Sequence, residues 1–129
     1  MKNLILLSSL IFCAILLFAC GESQQFVAIP KDINRDTVHK DTIEVIAKDY
    51  DFIPDTIWVK KGTLVTLKLK SIEGTHGFNL GAFGIDETLD ENVTKIVEFY
   101  AEEKGEYGIR CSHFCGIGHF GMTAKLIVE

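Results

Sequence analysis

From Thr42 onward the chain consists of short stretches in which apolar and polar residues alternate. The clearest is Thr63-Leu64-Val65-Thr66-Leu67-Lys68-Leu69-Lys70, where Leu and Val trade places with Thr and Lys. A period of two puts successive side chains on opposite faces, as a half-buried strand requires. Ile43 to Lys48, Thr56 to Val59, Phe78 to Leu80, Thr94 to Tyr100, Gly105 to Arg110 and Thr123 to Val128 read as strands in the same way. Asp49 to Asp55 and Lys60 to Gly62 read as turns, and Asp86 to Asn92 as an acidic loop with at most one short helical turn. Short strands separated by turn signals at roughly 8–12-residue intervals predict an all-β sandwich or barrel. No long stretch carries a helical apolar period, and there is no internal repeat. Phe52, Trp58, Phe78, Phe99 and Tyr107 are the candidate core fillers.

The first residues follow another pattern. Lys2 is followed by an apolar run from Leu4 to Phe18, broken only by Ser8, Ser9 and Cys13. A basic start and a short apolar run describe a secretory signal, and the run falls short of the roughly 20 apolar residues of a spanning helix. Leu17-Phe18-Ala19-Cys20 resembles the lipobox of bacterial lipoproteins, in which the cysteine is acylated and becomes the first residue. The expected organisation is a signal segment 1–19, a polar tether 20–41 that includes His39 as a solvated residue, and a domain 42–129. Cys20 is then the lipid anchor of an exported domain, on the periplasmic or outer face of a bacterial membrane, and Cys13 leaves with the signal. The formal net charge of −5 and the lack of basic clusters point away from nucleic acid.

Cys111 and Cys115 remain in the domain, inside Cys111-Ser112-His113-Phe114-Cys115-Gly116-Ile117-Gly118-His119-Phe120-Gly121-Met122. His76 ends an earlier strand region. Thiolates, imidazoles and a thioether are soft ligands that select copper, zinc or iron–sulfur clusters. Cys115, His119, Met122 and His76 alone make the set of a mononuclear blue-copper site. Cys111 is an additional thiol four residues away, able to face Cys115 and bridge two metal ions. Other chemistries use the same residues: a Cys111–Cys115 disulfide, which closes a loop too small to stabilise much, a zinc site, a single copper, or a thioredoxin-like copper-delivery pair. The last needs βαβ units that the chain lacks.

Cys-Ser-x-Phe-Cys-Gly-x-x-His-x-x-Met resembles the CuA loop of cytochrome c oxidase subunit II and of the matching domain of nitrous oxide reductase. His76-Gly77-Phe78 resembles the segment of subunit II that supplies the first histidine. The resemblance runs from about Phe52 to Val128. It implies a Greek-key cupredoxin β-sandwich holding two copper ions. Cys111 and Cys115 would bridge them, His76 and His119 would ligate one each, Met122 would be a weak ligand, and the main-chain carbonyl of His113 would be the last. His113 stands where subunit II has a glutamate, so its side chain has other work.

The expected function is one-electron transfer outside the cytoplasmic membrane, with a cytochrome c or a membrane oxidase or reductase as redox partner, and no enzymatic step of the domain's own. The alternative is a copper carrier or assembly factor, which needs an exposed site. Phe114 and Phe120 are expected to wall the site from solvent. Glu73, three residues before His76, either accepts a hydrogen bond from that ring or stands in solvent.

Overall fold

The computed structural model describes residues 29–129. The signal segment, Cys13 and Cys20 lie outside the described residues. The strands are β1 (His39–Lys48), β2 (Asp51–Ile53), β3 (Thr56–Val59), β4 (Thr63–Ser71), β5 (His76–Leu80), β6 (Ile85–Leu89), β7 (Thr94–Tyr100), β8 (Gly105–Arg110) and β9 (Thr123–Val128). Two 3₁₀ turns, Gly81–Phe83 and His119–Gly121, complete the described elements. No helix of the described residues is long and apolar enough to cross a membrane.

The strands form two mixed sheets, one in the order β2-β1-β4-β7 and the other β3-β9-β8-β5-β6. β1 runs parallel to β4 and β3 parallel to β9, and the other pairings are antiparallel. β4 sits centrally in its sheet and turns Val65, Leu67 and Leu69 inward, each fully buried. These meet a core that includes Phe52, Phe78, Leu80, Phe99, Ile109 and Leu126. Such two-sheet packing buries one face of each strand and leaves the other to solvent.

The structure revises the sequence reading in four places. β1 starts at His39, inside the expected tether, because His39, Lys40 and Asp41 continue the parallel ladder opposite Thr63, Leu64 and Val65. Trp58 is 56% exposed instead of filling the core, since its neighbours Ile57 and Val59 take the inward positions of β3. Asp51–Ile53 is a short strand within the expected turn, paired to the end of β1. The acidic stretch begins within a strand, β6, whose inward residues Ile85 and Leu89 flank the outward Asp86 and Thr88.

Candidate metal centre

Sheet topology brings the candidate ligands to one end of the five-stranded sheet. His76 opens β5, Cys111 follows the last residue of β8, and Met122 precedes the first residue of β9. β8 is antiparallel to both neighbours, with Asn79 opposite Arg110 and Arg110 opposite Thr123. The start of β5, the end of β8 and the start of β9 therefore share an edge. The Cys111 N–H donates to the Met122 carbonyl at 3.0 Å and closes the base of the loop. Inside the loop, the His119 N–H donates to the Gly116 carbonyl at 3.1 Å, which tightens the chain around residues 115–119.

His76 is fully buried. Its Nε2–H donates to the main-chain carbonyl of Glu73 at 2.8 Å, and the Asp49 carboxylate lies 3.4 Å from the same nitrogen. The Glu73 carboxylate accepts the Asp49 N–H at 3.2 Å instead of a ring N–H. Ser71, also buried, donates through its hydroxyl to the carbonyl of Gly74 at 2.6 Å and fixes the loop that presents His76. With Nε2 carrying the proton, Nδ1 is left with a bare lone pair, and it is buried without a hydrogen-bond partner. Leaving such an atom unsatisfied costs about 1–3 kcal/mol, so Nδ1 is an atom that could hold a metal.

The thiols supply the rest. Cys111 and Cys115 are free, the first buried and the second half-buried. Their sulfurs are 3.6 Å apart. The ligand atoms of His76, Cys111 and Cys115 all lie within 4.8 Å of one another. The Cys115 sulfur is 3.8 Å from His119 Nδ1, and the Cys111 thiol donates to the His113 carbonyl at 3.1 Å. The Gly77 N–H points at the Cys111 sulfur from 3.4 Å. His113 is exposed, and the contact it makes to the thiols is through its carbonyl. Met122 is buried and, with Cys111 and His119, lines a cavity of about 420 Å³ beside the cluster.

Burial, then the hydrogen bond and charge of Cys111, then the Asp49 carboxylate push the Cys115 thiol from 9.0 up to about 11. In the metal-free protein this thiol keeps its proton at neutral pH, and a metal must displace it. The sign for stability follows. The folded thiol holds a proton that the unfolded thiol releases above 9.0, so its contribution is complete below pH 9 and is lost as pH rises through about 11. Thermal unfolding of the metal-free domain should therefore fall more steeply in that window than in Cys115→Ser. Equal slopes would show that the thiol is not held protonated by the fold.

Phe114 and Phe120 are not a lid. They are 70% and 87% exposed, and Ile117 between them is 99% exposed. The rings of Phe114 and Phe120 flank His119, with centroids at 5.4 and 5.1 Å. The loop from Phe114 to Phe120 leaves these three side chains in solvent, while Cys111 is buried and Cys115 half-buried. Asp49 and Tyr50 were not singled out from the sequence as site residues, because both belong to a turn distant in the chain from every candidate ligand.

Residues 9–128 match the cupredoxin-like domain family, and the chain belongs to it. Membership of this family implies copper-binding electron transfer. Over 88 residues the chain is 28% identical to cytochrome c oxidase subunit 2 of Thermus thermophilus, covering 68% of this chain and 65% of that one. Over 94 residues it is 30% identical to nitrous-oxide reductase of Cupriavidus necator, covering 70% of this chain and 15% of the reductase. The chain thus spans just under two thirds of the oxidase subunit and a small part of the reductase. A chain from the structure of a heme-copper terminal oxidase dimer superimposes with a TM-score of 0.66 at 21% identity, over 99% of this chain and 96% of that one. That agreement is one of fold.

Proposed function

We propose that the domain holds a dinuclear copper centre and passes single electrons to or from a protein partner. The observation that carries this reading is the pair of free thiols 3.6 Å apart beside the buried, unpartnered Nδ1 of His76. Cys111 and Cys115 are the proposed bridging ligands, His76 and His119 the terminal imidazoles, Met122 the weak thioether ligand and the His113 carbonyl the last oxygen. When bound, a dinuclear copper centre would supply a redox couple in which the transferred electron is shared, which would lower the reorganisation barrier. The protein's part is to hold the ligands in advance. The Glu73 carbonyl fixes the His76 ring, and the Cys111–Met122 backbone bond fixes the loop.

The exposed Phe114, Ile117 and Phe120 give a partner an apolar surface beside His119, and a cytochrome c or a membrane oxidase or reductase is the proposed partner. Acylation of Cys20 would hold the exported domain at the outer face of a bacterial membrane, within reach of such a complex. A copper carrier is the second reading. The partial exposure of Cys115 and His119 favours it, because exchange needs access.

Copper loading of the metal-free domain tests the proposal. Two copper ions per chain and an electron paramagnetic resonance spectrum with hyperfine structure from two equivalent nuclei are expected. A single copper in the fully loaded protein would overturn the dinuclear reading. Rapid loss of copper to a competing chelator would favour the carrier.

A further inference from the structure

The chain passes from β1 to β2 through two residues, Asp49 and Tyr50, and this turn touches both segments that supply the candidate ligands. On one side, the Asp49 N–H is held by the Glu73 carboxylate at 3.2 Å. The Asp49 carboxylate lies 3.4 Å from His76 Nε2, whose proton already goes to the Glu73 carbonyl at 2.8 Å. Asp49, Glu73 and His76 thus close a ring of contacts around the buried imidazole. The ring's second nitrogen is the unpartnered one, so whatever orients Nε2 also aims Nδ1. On the other side, the half-buried Tyr50 ring lies directly beneath the backbone of Gly116 and Gly118. A Cβ on Gly118 would run into the Tyr50 ring and come within 2.7 Å of the Tyr50 Cβ, and one on Gly116 would meet the ring at 3.3 Å. These glycines bracket the half-turn between Cys115 and His119. Each side of the proposed centre therefore rests on one residue of the same turn.

We propose that Asp49 and Tyr50 are positioning residues of the metal centre, Asp49 holding and polarising the His76 ring and Tyr50 seating the Cys115–His119 loop. This rests on the metal reading given above. An acceptor on the far nitrogen of a ligating imidazole fixes the ring and makes it a better donor. A negative charge there also favours the more positive, oxidised state of the centre. Asp49 therefore lowers the reduction potential, and its neutral replacement raises it. Asp49 is half-exposed, so solvent moderates the effect without removing it.

Two experiments separate this inference from the metal assignment. In the metal-free protein, proton resonance of the His76 Nε2–H should show a solvent-protected signal. That signal should shift and exchange faster in Asp49→Asn and Asp49→Ala. An unchanged signal in both variants would overturn the role of Asp49 whether or not copper binds. In the copper-loaded protein, Asp49→Asn should keep the wild-type metal count and move the redox equilibrium about tenfold toward the reduced form, about 59 mV for one electron. Asp49→Glu should restore most of the wild-type value. A potential unmoved by Asp49→Asn would refute the tuning, and a wild-type protein that takes up no copper would refute the metal reading alone. For Tyr50, Gly118→Ala should lower thermal stability and shift the amide resonances of residues 115–119. The same change in a Tyr50→Ala background should do so less, because the opposing ring is gone. Additive effects of the two substitutions would show that Tyr50 does not seat the loop.

Discussion

Replacing Cys115 by serine is expected to leave a folded domain that no longer retains copper. The Cys115 sulfur is 3.6 Å from the other thiol and 3.8 Å from His119 Nδ1, so it stands between the Cys111 side and the His119 side of the cluster. Serine keeps the size and a hydrogen-bonding hydroxyl. It cannot supply the thiolate that soft metals select. Removing an outer partner of a metal site costs about 10–100-fold in affinity, and removing this shared sulfur should cost more than that. The fold should survive, because Cys115 is half-buried on a loop and makes no backbone ladder contact. Cys111→Ser should be milder in metal count, leaving at most one copper on Cys115, His119, Met122 and His76. It should be harsher on the fold, since Cys111 is buried and receives the Gly77 N–H. Metal analysis after gel filtration, with circular dichroism melting alongside, checks both. Two copper ions retained in either variant would contradict the bridging assignment.

How much of this could be read from the chain itself depended on whether the signal was local. β4 was legible because its inward Val65, Leu67 and Leu69 alternate with polar residues that reach solvent. The ligand loop was legible because five of the six candidate ligand residues fall within twelve positions, where residue type and spacing carry the chemistry. β6 was missed because Asp86 and Thr88 dominate its composition, although Ile85 and Leu89 set its buried face. Trp58 was misplaced because size suggests burial, while the pleat at Ile57 and Val59 decides which way each residue of β3 points. The contacts around His76 were out of reach. Nothing in the spacing of Asp49 shows that β1 and β2 turn over the start of β5. Glu73 was singled out for its carboxylate, yet its carbonyl meets the ring. Aromatics beside a metal loop suggest enclosure, and the exposure of Phe114 and Phe120 leaves no mark in residue order.

Gly116→Ala is expected to damage the centre without touching a single ligand atom. Gly116 has φ of +128°, a region that a residue with a Cβ rarely enters and that costs on the order of 1–3 kcal/mol when forced. The new methyl would also press on the Tyr50 ring and hydroxyl below it. Tyr50 can shift to relieve some of that contact, so the backbone conformation is the larger cost. The residue cannot relax alone, because its carbonyl accepts the His119 N–H at 3.1 Å and it directly follows Cys115. Moving φ toward an ordinary value would rotate that carbonyl away and carry His119 off the thiol. Two consequences should appear together: a lower melting temperature, by about 4–8 °C for each kcal/mol in a domain of this size, and weaker metal binding by about tenfold or more. Gly121→Ala is the matched control. It lies in the same loop, a Cβ there meets nothing within 4 Å, and its φ is not in the left-handed region. It should change stability by less than about 0.5 kcal/mol, as surface substitutions do. Equal losses in the two variants would mean that the loop tolerates no added methyl anywhere, and that the conformation at Gly116 has no special part in holding Cys115 and His119 together.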